Sequence, residues 1–180
     1  MSYIKKIVGK RIALAIMRVE DTEQYVTWMS QLDMTDNLGS SARIVTIEDE
    51  RQWILSEANH YQFAIIRLED ECLLGNCGIH TINSISQCAE IGIFIGEEAN
   101  RNQGYGQEAL ELLLRYAFDY LNLHNIMLKV FAFNERAIKC YKKIGFQEIG
   151  RRRQSYYTKG KFHDEVYMDI LKEDWKKLQS

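Results

Sequence analysis

From Arg101 to Gln107 the chain reads Arg-Asn-Gln-Gly-Tyr-Gly-Gln, and this junction between two patterns is where residue types and spacing best suit chemistry. Ile91, Ile93 and Ile95 alternate with Gly92 and Phe94 at the period of a strand, which Gly96 ends. From Gly106 the period lengthens: Ala109, Leu110, Leu113, Ala117 and Leu121 recur at helical spacing. Glycine at 104 and 106 lets the main chain approach a ligand closely. The first-turn amides of a helix lack intrahelical partners and lie at its positive end. The implied chemistry is capture of an anion, a pyrophosphate above all, by main-chain donors. A tight turn with glycine at a packing contact is the other reading of the same residues.

Two familiar phosphate motifs fail on the residues after the glycines. A Walker loop places Lys-Ser or Lys-Thr after its last glycine, whereas Gln107 and Glu108 stand there. Gly104, Gly106 and Ala109 satisfy the spacing of a dinucleotide fingerprint, but that motif needs an acidic residue closing a second parallel strand about 20 residues on. The next apolar run, Ile126 to Phe133, carries Lys129 and ends in Asn134 instead.

Arg101-x-x-Gly104-x-Gly106, preceded by Ala89-Glu90-Ile91-Gly92, resembles the acetyl-coenzyme A signature of the GCN5-related N-acetyltransferases, in the branch of ribosomal-protein and polyamine acetyltransferases. A second match lies in Asn134-Glu135-Arg136-Ala137-Ile138, Tyr141 and Ile144-Gly145-Phe146. The resemblance runs from roughly Arg11 to Trp175 and is strongest from Ala89 to Phe146. It implies that Arg101, Asn102, Gln103, Gly104, Tyr105, Gly106 and Gln107 bind the cofactor pyrophosphate, and that Asn134 and Ala137 lie beside the pantetheine arm. It also implies that the strands around Ile91–Ile95 and Ile126–Phe133 splay, so that main-chain groups of Phe94 or Ile95 pair with that arm as a strand adds to a sheet edge.

The same resemblance assigns the reaction: an amine attacks the thioester of acetyl-CoA directly in a ternary complex. An alkylamine is mostly protonated at neutral pH, so a proton must be accepted, and the departing thiolate gains from a donor. Glu90 matches the position of the glutamate used as general base in the family's histone-acetylating branch, with a structural carboxylate at the strand end, and a water chain as the base, as the alternatives. Its alternation with the isoleucines points it to the opposite face. Tyr141 is the expected general acid, with a core aromatic as the alternative. In related proteins the first two helices and the loop between them line the acceptor side. Here that loop carries Asp33 and Asp36, which either receive a cationic amine or bond their own backbone as turn residues. A non-catalytic acyl-CoA sensor and a nicotinamide-dependent enzyme are the other classes left open.

The elements that must position these residues can be read with ordinary rules. Asn134 stands where an N-cap belongs, Glu135 suits the first turn and Gly145 the left-handed C′ position. Asn134 and Tyr141 then share one side of that helix, about 10 Å apart along it. Arg11–Arg18 reads as a first strand, Asp21–Leu32 as a helix and Asp33–Ser41 as a polar loop. Thr46 caps a second helix with Asp49 three residues on and Trp53, Ile54 and Ala58 as its apolar face. Gln62–Leu68, Cys72–Ile82 and Gln87–Ile95 form an antiparallel meander, and Phe146–Arg151 and Val166–Leu171 the last strands around a hairpin at Arg151–Asp164. The order βααβββαβαββ is an α+β fold of a mostly antiparallel sheet flanked by helices, as in the acetyltransferases.

At 180 residues and 46% hydrophobic content the chain can bury a core without staples, and one domain over 1–180 is expected. A formal net charge of −2 argues against nucleic acid, and Arg151-Arg152-Arg153 reads as a charged strand edge. Cys72, Cys77, Cys88 and Cys140 show no C-x-x-C pair and the histidines no H-x-x-x-H, so no metal is expected. No apolar run suits a signal peptide or a bilayer span, which points to a cytoplasmic protein, monomeric or homodimeric, with no membrane partner.

Overall fold

The computed structural model describes residues 2–56 and 60–179. Along the chain come β1 (Lys5–Val8), β2 (Ile12–Ala15), α1 (Thr22–Met29), α2 (Leu32–Thr35), α3 (Ile47–Leu55), β3 (Gln62–Arg67), β4 (Leu73–Asn83) and β5 (Cys88–Ile95). Then follow α4 (Tyr105–Arg115), β6 (Asn125–Phe131), α5 (Glu135–Ile144), β7 (Gln147–Thr158), β8 (Lys161–Leu171) and α6 (Lys172–Gln179). Hydrogen-bonded neighbours run β1-β2-β3-β4-β5-β6-β8-β7, an open mixed sheet in an α+β fold. The expected order is present with β1, α2 and α6 added to it.

The chain divides into two compact units, Met1–Gly78 with Ile93–Leu113, and Ile79–Gly92 with Leu114–Ser180. In the first, every residue of β2 is buried and pairs antiparallel with β3, itself buried from Gln62 to Ile66. Tyr25 and Trp28 of α1 form a cluster with Met34, against which Phe94 packs. The rings of Tyr25, Trp28 and Phe94 meet edge to face at 5.5 to 6.3 Å between centroids, the geometry their quadrupoles favour.

In the second unit β6 and β8 pair antiparallel with Ile126 opposite Ile170, Leu128 opposite Met168 and Val130 opposite Val166, all six buried. Each such side chain contributes roughly 1.5–3 kcal/mol on burial. A one-residue slip would turn the whole set outward, so this pattern fixes the register. The opposite face carries Met127, Lys129 and Phe131 on β6, with Asp169, Tyr167 and Glu165 as their partners on β8.

Several local rules hold. Asn134 caps α5, its Oδ1 accepting from Ala137 N at 3.2 Å, and Gly145 ends the helix at φ 115°. Thr46 and Asp49 form a reciprocal capping box on α3. The Ala58 assigned to that helix lies outside the described residues.

Other expectations are corrected. Asp33–Ser41 is not a loop: α2 continues as a 3₁₀ turn over Asp36–Leu38, because Met34 and Thr35 are buried and Thr35 Oγ1 bonds back to Gln31 O at 3.0 Å. The last two strands are far longer than expected and meet at a two-residue turn, Lys159 and Gly160, at φ 49° and 78°. A bulge between Arg152 and Tyr156 breaks the alternation that would have revealed β7.

The capping box makes a stability prediction. The Thr46 hydroxyl and amide hold the Asp49 carboxyl below its usual range, so the box is intact above that range and weakens as pH falls through it. Thr46→Ala should lower Tm by roughly 2–4 °C at neutral pH. The difference from wild type should shrink on acidification, as thermal melts at several pH values would show.

Candidate active site

The loop from Gly96 to Gln107 belongs to the first unit; Glu97, Glu98, Asn102 and Gln103 are exposed, while Arg101 and Tyr105 turn toward the protein. The Arg101 guanidinium donates to Ile95 O at 3.1 Å and Gly96 O at 2.6 Å and meets Met34 Sδ at 3.3 Å. Gln103 donates to Ala99 O and accepts from Arg11 through its own carbonyl at 2.9 Å. Tyr105 is buried, with the Arg11 guanidinium 4.9 Å from its ring centroid. Gln107 donates to Glu111 at 2.8 Å. Beside the exposed Asn102 and Gln103, the loop presents the main chain of Gly104.

Glu108 in the first turn of α4 supplies the second anchor. Its carboxylate accepts from the amides of Lys10 and Arg11 at 2.7 and 2.8 Å and from Arg11 Nε at 3.2 Å. Burial alone would raise this carboxyl, but the Arg11, Lys10 and Ile12 amides and the guanidinium outweigh it and hold it below the usual range.

With both ends fixed, the chain crosses Asn102 at φ 61° and Gly104 at φ 83°, left-handed conformations that favour Asn and Gly. Glu108 N makes the first intrahelical bond, to Gly104 O at 3.0 Å. Among the described residues the amides from Asn102 to Gln107 meet no acceptor. Such a run of amides at the N-terminus of an eleven-residue helix fits a diphosphate. At Gly106 an added Cβ would make only ordinary contact with Ile95 and Ile93, so the positive φ puts the stricter demand on Gly104.

Of the other residues that the resemblance assigns to the cofactor, Phe94 and Ile95 belong to the first unit and Asn134 and Ala137 to the second. Phe94 packs on Tyr25 and Trp28, and the Ile95 carbonyl already accepts Arg101, so of the two main-chain groups assigned to the pantetheine arm that one is engaged. In the second unit β5 and β6 run parallel for three pairs, ending at Glu90 opposite Met127. Past it β6 pairs with β8 alone, and Ile91 and Gly92 have no β6 partner among the described residues.

Tyr141, on α5 of the second unit, packs edge to face on Phe146 at 6.0 Å. Burial pushes its phenol well above the ordinary value, with Cys140 adding and Arg136 opposing, so it stays protonated and able to donate. Asn134 and Ala137 are joined to each other by the cap. Glu90 lies between buried Ala89 and Ile91 and faces the other way, where it pairs with Lys129 at 3.0 Å.

Asp36 is buried at 6% exposure while Asp33 faces solvent, its carbonyl accepting from Asn37 at 2.9 Å. Sequence reasoning missed His80, whose ring the pairing of β4 with β5 lays over Gly92. It also missed the inward direction of Arg101; no local signal marks either. Among the described residues no cluster of His, Cys, Asp or Glu is placed to hold a metal ion, and no helix is long and apolar enough to cross a membrane.

Comparison with known proteins decides the family: residues 11–147 match the acetyltransferase (GNAT) domain. The chain belongs to the GNAT acetyltransferases. An uncharacterized N-acetyltransferase, p20, of Bacillus licheniformis is 30% identical over 177 residues, covering 96% of this chain and 99% of that protein. The putative ribosomal N-acetyltransferase YdaF of Bacillus subtilis is 33% identical over 108 residues, 60% of this chain and 58% of YdaF. In fold, the spermidine N-acetyltransferase of Vibrio cholerae, solved with CoA and spermine, superposes with a TM-score of 0.84 at 21% identity, over 93% of this chain and 99% of that one. As a GNAT acetyltransferase the chain shares that open mixed sheet with flanking helices.

For this GNAT protein the loop geometry predicts that Gly104→Val weakens acetyl-CoA binding by tenfold or more, because a β-branched residue strongly disfavours positive φ. Titration calorimetry with acetyl-CoA would check it; unaltered affinity would remove the loop from the binding site.

Proposed function

We propose that the chain moves the acetyl group of acetyl-CoA to a primary amine by direct attack in a ternary complex. The acceptor is a protein N-terminus, a polyamine or another small amine. The observation that carries this reading is the run of amides from Asn102 to Gln107, held in place by Arg101 and Glu108, without protein acceptors among the described residues. Those donors grip the diphosphate, and Gly104 gives it the approach it needs.

In this reading Tyr141 returns a proton to the departing thiolate, and its raised phenol keeps the proton available across the physiological range. Names among the relatives favour amines of two kinds, ribosomal and polyamine, and both meet the same chemical requirement: a nitrogen freed of its proton before attack.

A thiol-release assay with acetyl-CoA tests the proposal across polyamines, amino acids, aminoglycosides and ribosomal-protein N-terminal peptides. Release of CoA with at least one amine, and a matching acetylated product by mass spectrometry, is the expected result. Acetyl-CoA binding with no transfer to any of them would favour a sensor instead. Tyr141→Phe should lower turnover by about 10²- to 10⁴-fold with little change in acetyl-CoA affinity, the range for one acid/base group. Wild-type turnover in that variant would take Tyr141 out of the reaction.

A further inference from the structure

The polar sheet face of the second unit holds a titratable group with no part in gripping the cofactor or in protonating the thiolate. His80 on β4, Glu90 and Gly92 on β5 and Lys129 on β6 share that face. A side chain at position 92 would bring its Cβ to 3.2 Å from His80 Nε2, so glycine there lets the imidazole lie across β5. Glu90, two residues back on the same face, is engaged by the Lys129 ammonium at 3.0 Å. Lys129 is the direct cross-strand partner of Tyr167, and its charge is favoured first by its bond to Glu90 and further by Tyr167 and Glu165.

His80 is exposed as a residue, yet its ring lies against the sheet. Partial desolvation there lowers its pKa; Glu90 opposes the shift and Lys129 reinforces it. Below the ordinary value of about 6.5, the imidazole is neutral at pH 7 and keeps a basic lone pair.

We infer that His80 is the group that accepts the proton of the incoming ammonium. The inference rests on the amine-acetyltransferase reading. The substrate R–NH₃⁺ gives one proton to the imidazole, leaving R–NH₂ and an imidazolium. The nitrogen lone pair forms the C–N bond to the thioester carbonyl carbon, and the C–S bond breaks with its electron pair on sulfur. The second proton lost by nitrogen reaches that sulfur by way of Tyr141, and the imidazolium returns its proton to water.

The test is steady-state kinetics against pH for the wild type, His80→Gln, Glu90→Gln and Lys129→Met, with an amine that the wild type acetylates. His80→Gln should lower kcat by about 10²- to 10⁴-fold, leave the KM for acetyl-CoA unchanged and abolish the acid-side inflection. Exogenous imidazole should restore part of the rate to His80→Ala. Because Glu90 raises the His80 pKa and Lys129 lowers it, Glu90→Gln should move the inflection to lower pH and Lys129→Met to higher pH. A His80→Gln enzyme with the wild-type rate and inflection would overturn the inference and leave acetyl transfer standing. An inflection that neither charge variant moves would overturn it too. A wild type that acetylates no amine would fail earlier, at the functional reading itself.

Discussion

The cofactor reading of this protein depends on holding one short loop in place so that its amides, which meet no acceptor among the described residues, stay available to a ligand. Arg101 does this from one end by closing on the carbonyls of Ile95 and Gly96, and Glu108 from the other by accepting the amides of Lys10 and Arg11. Charge-assisted bonds of this kind are stronger than neutral ones. Arg101, which a motif reading assigns to the anion, bonds main-chain carbonyls here. In the proposed reading the anion meets main-chain donors and a helix N-terminus, whose partial charges need no reorganisation when a ligand arrives.

The second unit works by a different economy, that of a sheet with one apolar and one polar face. Ile126, Leu128 and Val130 against Ile170, Met168 and Val166 set the register, and the register dictates which residues stand on the other side. Lys129 is thereby placed opposite Tyr167 and within reach of Glu90, and the glycine at 92 leaves room for His80. Packing on the apolar face thus determines the electrostatics of the polar one. The grouping of His80, Glu90 and Lys129 arises from a fold constraint rather than from a local motif.

That distinction explains how much was legible in the chain. Features set by nearest neighbours were plain: the alternation of β5, the capping box at Thr46, the Asn134 cap, the left-handed Gly145 and the glycine loop itself. The family resemblance, resting on residues in two separated stretches, supplied the sheet and the reaction class. Non-local features were hidden. Nothing near His80 in sequence reveals that β5 brings Gly92 beneath it, and nothing near Glu90 foretells Lys129, 39 positions on, across a parallel ladder. Asp33-Met34-Thr35-Asp36 looked like a solvated turn because its letters are polar. Burial of Met34 against Tyr25 and Trp28 overrode that preference and wound the segment into helix. The Arg151-Arg152-Arg153 run is the charged edge it resembled: β7 closes one end of the strand order, Arg151 pairs with Glu148 and Arg152 with Glu165.

The central claim is that main-chain donors between Asn102 and Gln107 hold the diphosphate of a coenzyme A thioester. A crystal structure with bound CoA tests it most directly. The account predicts diphosphate oxygens within hydrogen-bond distance of those amides, with Arg101 still closed on Ile95 and Gly96. A diphosphate bound elsewhere on the protein, or one gripped by side chains while these amides face solvent, would contradict it.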